Sequence, residues 1–481
     1  MFKSKILANS GIYMIINLLQ KGINFLLIPI LTTYLTTYDY GIVAVVTAVN
    51  AFLNVLYILS LNGCLNRFYY EYKEDKKKVK KLFGTIVTFV LGFSATLSII
   101  LVVGHKIFLD PFLKEVDFYP FMVLGMISVL FNPIFTIYQN TLQAKQEGKR
   151  YGRNNIAFFF TNLLFLLISV IILNLGAKGV LGALALTNLL FFIYSLFQFG
   201  KEFSFGIDKN ILKQSLKYSL PLVPHSISGV TTNIIDRLFV NSMISTSITG
   251  IYNLGSTFGS IIFLIASGIN QAFVPWFTER VKSNDIEKIP FFAKSLILVY
   301  CFVALGISFF SKEVIEWVTP IEYHEAWKIV PVISFAFVFH GCYYFFSTPF
   351  FYDISGKGSR TLPMFTITSA FLNVLLNYFL IKNYGMVGAA SATLISKVFL
   401  VLGLSFYYKK FVNINYNVFL MIFLPMVFFG VSCVVYILPS DFEYLFGIKT
   451  IIYLLSIFIT GYFAKPLINF LLNIITGDRK P

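Results

Sequence analysis

Apolar runs of about 20 residues follow one another from the first ten residues of the chain to the last ten. A helix of that length spans the hydrocarbon core of a bilayer, so each run predicts a transmembrane helix. The pattern therefore indicates an all-α, polytopic membrane protein, in which charge and turn clusters separate fourteen helices. The predicted helices cover residues 9–35, 40–66, 82–104, 118–143, 154–174, 179–200, 218–243, 248–276, 290–311, 326–352, 361–382, 384–408, 416–437 and 447–473.

Three short patterns recur along the chain at nearly one spacing. They pair residues 179–187 with 385–393 (offset 206), Gly148 with Gly356 (offset 208) and Gly41 with Gly250 (offset 209). A constant offset of this size predicts a duplicated half of about six helices. The expected domains are an N-lobe at residues 1–205, a C-lobe at residues 206–412, and two added helices at residues 413–481.

Basic residues are concentrated in alternate connections between the predicted helices. If the N-terminus is cytoplasmic, the even-numbered connections and the two tails hold most of the 38 Lys and Arg residues. Positively charged loops stay on the cytoplasmic side, so both termini are predicted there and an axis along the membrane normal would relate the lobes. The net charge of +16 then reflects attraction to anionic lipid head groups, and no nucleic-acid partner is expected.

Composition supports the membrane assignment and limits the possible chemistry. The chain of 481 residues is 57% hydrophobic and 12% charged, and its mean hydropathy is +0.77. The four cysteines lie singly in apolar runs, as packing residues do, and no metal site or cofactor is indicated. The sequence also lacks the HExxH, CxxC and GxSxG motifs and paired membrane carboxylates, so the protein is not expected to be an enzyme.

Three basic residues fall at membrane depth, where charge is costly. Lys21 and Lys397 lie near the middle of helices 1 and 12, and Arg237 lies in the outer half of helix 7. Each costs about 2.5–3.5 kcal/mol at a helix centre, so none is expected to face lipid. With Gly41 aligned to Gly250, Lys21 and Arg237 fall seven residues apart on equivalent helices. A row of cations in a water-filled cavity between the lobes would suit a polyanionic ligand.

Each of these cations also has a purely structural interpretation. Lys21 could bond to a carbonyl group, Arg237 could reach the outer interface, and Lys397 could pair with an acid on another helix. Arg67 lies at the predicted cytoplasmic mouth, where basic residues are routine, and it could also meet a substrate there. The prolines inside helices 1 and 7 fit either ordinary kinks or hinges.

Several blocks, taken together, resemble the polysaccharide or O-antigen (Wzx-type) flippases of the multidrug/oligosaccharidyl-lipid/polysaccharide exporter superfamily. The last block is the most specific, and the similarity extends over essentially the whole chain. The blocks are residues 29–41 (PILTTYLTTYDYG), 61–69 (LNGCLNRFY), 216–224 (LKYSLPLVP), the pair Asp236 and Arg237, residues 250–252 (GIY), 372–381 (LNVLLNYFLI) and 385–390 (GMVGAA).

The resemblance implies a two-lobe transporter in the bacterial cytoplasmic membrane. Such a protein moves undecaprenyl-pyrophosphate-linked oligosaccharide units to the outer leaflet by alternating access, and H+ or Na+ coupling stays open. A polysaccharide polymerase and chain-length machinery are its expected partners. The substrate-binding candidates comprise three cations for the pyrophosphate, one arginine at the cytoplasmic mouth and four polar residues for the sugars: Lys21, Arg237 and Lys397; Arg67; and Asn17, Asn24, Asn233 and Tyr252.

Two other functions compete with this hypothesis. A drug or organic-cation antiporter of the same superfamily would need acidic residues at membrane depth, and the predicted N-lobe helices contain no obvious one. A membrane glycosyltransferase or polymerase would need acids on an outer loop, for which residues 312–328 are the candidate. The acids of that loop alternate with Trp317, Tyr323 and Trp327, which is more typical of an interfacial aromatic belt.

Overall fold

The computed structural model describes residues 22, 25–200, 205–353, 357–437, 447 and 449–454. Within these ranges the chain is helical and contains no β-strand, which confirms the all-α prediction. Nine helical segments of this part are long and apolar enough to cross a membrane. The expectations for Asn17, Lys21, Asn24 and most of helix 14 lie outside the described residues.

The helices follow the predicted order, with some shifts at their ends. In chain order they are α1 Ile28–Tyr34, α2 Thr37–Ile58, α3 Leu61–Tyr72, α4 Lys76–Val103, α5 His105–Phe108, α6 Asp110–Leu113, α7 Val123–Ala144, α8 Gly148–Leu167, α9 Gly176–Gly200, α10 Lys209–Ser219, α11 Val223–Met243, α12 Thr246–Gly259, α13 Ile261–Lys282, α14 Lys288–Val318, α15 Val330–Tyr352, α16 Lys357–Tyr407 and α17 Val418–Ile437.

Three predicted helices are interrupted in the structure. Helix 2 breaks between α2 and α3, where Leu59 and Ser60 both adopt positive φ angles. Helix 8 breaks between α12 and α13 at Ser260. Helix 7 begins earlier than predicted, at Lys209, and Leu220–Leu222 forms a 3-10 turn around Pro221 because proline cannot donate a backbone hydrogen bond.

The contacts divide the chain into two compact units, residues 1–253 and 254–481. In the first unit, Val45, Val46 and Tyr57 on α2 are fully buried and form a core with α7. In the second unit, α15 is buried on nearly every side, as expected for a helix that is apolar all round, and α13, α14, α16 and α17 pack against it. The predicted lobe boundary at residues 205 and 206 stays a prediction.

A symmetric close contact joins α2 to α12 in the first unit. A Cβ added to Gly41 would lie 1.9 Å from the Thr246 carbonyl oxygen, and one added to Gly250 would lie 2.1 Å from that of Thr37. Each helix thus presents a Thr-x-x-x-Gly segment to the other, and the two segments are 209 residues apart. Small residues allow helices to approach this closely within a membrane. We call this contact the threonine–glycine crossing.

The turn glycines correct the register of one predicted repeat. Gly176 and Gly385 both have a φ angle of +55°, which puts them in the left-handed region that favours glycine. Their offset is 209, the same as at the threonine–glycine crossing, whereas the sequence pattern paired Gly179 with Gly385 at an offset of 206. Glycines recur every three residues at 176, 179 and 182, so the sequence pattern alone does not distinguish two alignments that differ by three residues.

Amide-to-hydroxyl hydrogen bonds link neighbouring helices in both units. Asn162 Nδ2 donates to Thr187 Oγ1 at 3.3 Å, between α8 and α9. In the second unit, Asn373 Nδ2 donates to Thr393 Oγ1 at 3.4 Å, across the two halves of α16 on either side of the Gly385 kink. Each of these helix pairs is therefore linked by an amide-to-hydroxyl bond, although the bonded residues do not correspond to one another at the offset of 209.

We predict that Gly41→Val lowers the midpoint of thermal unfolding of the purified protein. The valine side chain would overlap the Thr246 backbone, and overpacking of this kind costs about 1–3 kcal/mol. Gly92→Val is the matched control, because an added Cβ there meets nothing within 4 Å. Equal midpoints for the two variants would contradict the close contact.

Candidate functional site

Arg237 lies on α11 beside the threonine–glycine crossing. Tyr40, which precedes Gly41, Tyr252 on α12 and Asp236 are its electrostatic neighbours. The guanidinium group makes no salt bridge or hydrogen bond with any residue in the described part of the chain. Arg237 is therefore a partly buried cation near two tyrosines and Asp236 that makes no direct salt bridge with a described carboxylate.

The neighbouring acid, Asp236, has a separate arrangement. Its side chain is 4% exposed and accepts a hydrogen bond from Tyr252 Oη at 2.8 Å. Adjacent residues on a helix point about 100° apart, so Asp236 and Arg237 face different neighbours. Tyr252 was predicted to bind sugar hydroxyls, but in this conformation it is 2% exposed and its hydroxyl group donates to Asp236.

The turn between α11 and α12 is capped by the connection that precedes α7. Asn241 Nδ2 donates to the Leu113 carbonyl oxygen at 2.8 Å, and the Thr246 backbone N–H donates to Glu115 Oε2 at 2.9 Å. Lys114 Nζ also donates to the Ser242 carbonyl oxygen. We call these contacts the loop cap. Together with the threonine–glycine crossing, they close this end of the first unit in the observed conformation.

Asp39 fixes the start of α2 against the start of α9. Its carboxylate forms a capping box with Thr36 and also accepts a hydrogen bond from the Ala177 backbone N–H at 3.0 Å. A carboxylate is favourable at the N-terminus of a helix because unpaired N–H groups and the positive end of the helix dipole lie there. The beginning of α2 is thus held by α9, by α12 and by the connection before α7. In the last of these contacts the Tyr38 hydroxyl group donates to the Glu115 carbonyl oxygen at 2.9 Å.

Lys397 lies inside the second unit and is 2% exposed. Its Nζ atom is 3.5 Å from His340 Nδ1 and 5.2 Å from the centre of the Phe337 ring, and both residues belong to α15. At the offset of 209, the equivalent residue is Asn188, which bonds to Asn132 and Ser128 on α7. The same pair of helices therefore carries a polar link in each repeat, neutral in the first and basic in the second.

The remaining predicted residues are less informative. Arg67 is exposed on α3, and its guanidinium group stacks over the Tyr218 ring at 4.9 Å from the ring centre. The side chain of Asn233 lies outside the described part of the structure, as do Asn17, Lys21 and Asn24. Within the described ranges, no group of three His, Cys, Asp or Glu residues could hold a metal ion.

A polar groove between α7 and α8 was missed by the sequence analysis. It has a volume of about 430 Å³ and is lined by six carboxamides and four aromatic rings, with Thr136 and Leu184. We call it the amide groove. The carboxamides are Asn132, Gln139, Asn140, Gln143, Asn155 and Asn162, and the rings are Phe135, Tyr151, Phe158 and Phe159. Amide side chains recur at helical spacing in both helices, and this pattern could have predicted the groove from the sequence. A search for charged residues does not detect it.

The second unit has a cavity of about 370 Å³ between α13 and α15. Its lining is different in chemistry, because Asn270 is the one carboxamide among tyrosines, hydroxyl groups and apolar side chains. Carboxamides therefore cluster in the groove of the first unit, whereas the cavity of the second unit contains one.

A family model described as "Polysaccharide biosynthesis protein" matches residues 6–281, more than half of the chain. The chain belongs to this family. Among its relatives, the Lsg locus putative protein 1 of Haemophilus influenzae is 22% identical over 323 residues, which cover 65% of this chain and 77% of the relative. An uncharacterized membrane protein of Methanocaldococcus jannaschii is 23% identical over 412 residues, which cover 82% of this chain and 95% of the relative.

Solved structures place this member of the family in a wider fold group. The lipid II flippase MurJ, in an inward closed conformation, matches 90% of this chain and 98% of its own chain at a TM-score of 0.69 and 15% identity. An inward-facing multidrug resistance MATE family transporter of the MOP superfamily matches 82% and 94% at a TM-score of 0.58 and 13% identity. The family resemblance and the polytopic helical fold predicted from the sequence are confirmed, whereas the count of fourteen helices stays a prediction.

We predict that Asn241→Ala opens the capped end. Asn241 is fully buried and bonds to both Leu113 and the Thr246 hydroxyl group, so its loss removes both bonds and leaves the Thr246 hydroxyl group without its acceptor. A single cysteine introduced as Thr249→Cys, in a chain freed of native cysteines, should then react several-fold faster with a water-soluble maleimide. Asn383→Ala removes an exposed amide and should leave the rate unchanged. An unaltered rate in the Asn241 variant would show that the loop cap does not close this end.

Proposed function

We propose that this protein is a flippase for lipid-linked oligosaccharides. In this proposal it carries undecaprenyl-pyrophosphate-linked repeat units from the cytoplasmic to the outer leaflet of a bacterial cytoplasmic membrane, with both of its termini in the cytoplasm. The product supplies cell-surface polysaccharide, such as O-antigen, capsule or exopolysaccharide. The single observation that carries the proposal is Arg237, a partly buried cation beside the threonine–glycine crossing that makes no salt bridge with a described residue.

The cost of burying Arg237 requires an explanation. Its side chain makes no salt bridge with a described residue, and Asp236 already accepts a hydrogen bond from Tyr252. A charge that the protein itself does not pair is expected where a ligand brings the opposite charge. A pyrophosphate in a water-filled cavity would gain about 1–4 kcal/mol from such a contact, depending on the local dielectric. A cationic drug would instead be repelled.

The other predicted residues have subordinate roles in the proposal. Arg67 is exposed and would attract the pyrophosphate at the cytoplasmic mouth, while Lys21 would extend the path of positive charge through the membrane. Lys397 would attract the pyrophosphate from within the C-lobe. Asn17, Asn24, Asn233 and Tyr252 would contact sugar hydroxyls, in the case of Tyr252 after the protein rearranges.

Alternating access supplies the movement in this proposal. The lobes at residues 1–205 and 206–412 would rock against one another, so that the threonine–glycine crossing and the loop cap separate when the protein faces outward. In this proposal the contacts formed in the described conformation lie on the outer side and would keep that side closed. The step needs no covalent chemistry, and H+ or Na+ could drive it. A polymerase and chain-length machinery would receive the flipped unit.

We predict that Arg237→Ala reduces surface glycan at least tenfold in a strain that depends on this protein, with the lipid-linked unit accumulating inside the cell. Loss of about 1.4 kcal/mol of binding is enough for a tenfold effect. Lys106→Ala, at an exposed lysine, should have no effect. Normal surface glycan in the Arg237 variant would remove the support for the proposal, and drug resistance conferred by the wild-type protein would favour an antiporter instead.

A further inference from the structure

The amide groove contains no charged group among the described residues that line it. A phosphate would find no cation there, and an organic cation would find no carboxylate. The groove offers carboxamides, which each carry two N–H donors and a carbonyl acceptor, together with flat aromatic faces. That combination complements a neutral ligand with many hydroxyl or acetamido groups and an apolar ring face.

The carboxamides are arranged along the length of the groove. Asn132, Thr136, Asn140 and Gln143 follow one another at helical spacing on α7, so their side chains form one stripe. The stripe from Asn132 to Gln143 is about 16 Å long at 1.5 Å per residue. On α8, Asn155 and Asn162 lie two turns apart on the facing side. The groove is therefore an extended polar surface that could contact several linked sugar rings.

Hydrogen bonds within the groove hold several of the amides in position. Asn140 Nδ2 donates to the Thr136 carbonyl oxygen of its own helix at 3.0 Å, and Asn132 Nδ2 donates to Asn188 at 2.9 Å. Gln139 is 7% exposed, and its Oε1 atom has no hydrogen-bond partner in the part of the chain that the structure describes. A buried acceptor without a donor is unfavourable, so a ligand hydroxyl or water is expected near it.

Contact with lipid would be unfavourable for the amide groove. Asn132, Asn140, Gln143, Asn155 and Asn162 are all only partly buried, so their amide groups are not enclosed by protein. Polar groups cannot find partners in hydrocarbon, and membrane proteins direct such groups toward water or ligand. The amide groove is therefore expected to face an aqueous path through the membrane.

We propose that the amide groove binds the neutral sugars of the lipid-linked substrate, apart from the cations that bind its pyrophosphate. This inference rests on the proposed function and adds a glycan site on α7 and α8 to the sugar contacts of Asn17, Asn24, Asn233 and Tyr252. The carboxamides exchange hydrogen bonds with sugar hydroxyl and acetamido groups, and Phe158 and Phe159 pack against the apolar faces of the rings. The groove selects for neutral sugars because it offers no counter-charge to an acidic one.

Binding to the purified full-length protein tests this assignment with two probes. One probe is undecaprenyl pyrophosphate without sugar, and the other is undecaprenyl pyrophosphate bearing a neutral oligosaccharide containing N-acetylhexosamine. Wild-type protein should bind the sugar-bearing probe more tightly. Asn140→Leu and Asn155→Leu should each weaken that binding at least fivefold and leave binding of the sugar-free probe unchanged. The unchanged binding also reports that the variants are folded.

Asn383→Leu is the matched control. Asn383 donates to the carbonyl oxygen four residues earlier, as Asn140 does, but it is exposed and lies outside the groove. Equal affinity of the wild-type protein for the two probes, or no selective loss in the groove variants, would overturn the inference while leaving the flippase proposal intact. Failure of the wild-type protein to bind either probe would overturn both.

Discussion

The close approach of α2 and α12 is the constraint on which much of the first unit depends. Gly41 and Gly250 leave no room for a side chain, and each faces the backbone of a threonine one turn earlier on the other helix. Because the two segments are equivalent in the repeat, one contact joins the halves of the duplication symmetrically. The Asp39 cap on α9 and the loop cap on the α11–α12 turn surround this crossing. Arg237 lies beside it, so any separation of the two helices changes the environment of that cation.

A membrane protein must give every polar group a partner or water, and this rule organises the rest of the structure. Structural polar groups are paired between helices, as in the bonds of Asn162 with Thr187 and of Asn373 with Thr393. Lys397 belongs to a related link, in contact with His340. Arg237 makes no salt bridge with a described residue, and the amide groove contains the Gln139 Oε1 atom, which has no hydrogen-bond partner among those residues, although Asn162 and other amides that line the groove are bonded. In our account these two features receive the two chemically distinct parts of one ligand, a charged pyrophosphate and a neutral glycan.

The fold was largely predictable from the sequence, because apolar runs and alternating loop charge are strong signals over about 20 residues. The breaks at Leu59 and at Ser260 were not predictable, since no proline marks them and the apolar pattern continues through both. The repeat was found, but one block was misaligned by three residues, and only the backbone angles of Gly176 and Gly385 distinguish the two registers. The free-energy cost of a charge at membrane depth drew attention to Arg237 and Lys397. The same criterion could not reveal that the Tyr252 hydroxyl group donates to Asp236, and it does not apply to uncharged amides.

The central claim is that the capped end must open for transport, and a reversible cross-link tests it most directly. Lys114→Cys and Ser242→Cys, introduced together into a chain without native cysteines, place thiols on either side of the loop cap, where Lys114 donates to the Ser242 carbonyl oxygen. We predict that joining them with a short reductant-cleavable bifunctional reagent stops surface glycan from appearing, that reductant restores it, and that Lys114→Cys alone is unaffected. Undiminished glycan export by the cross-linked protein would contradict the account.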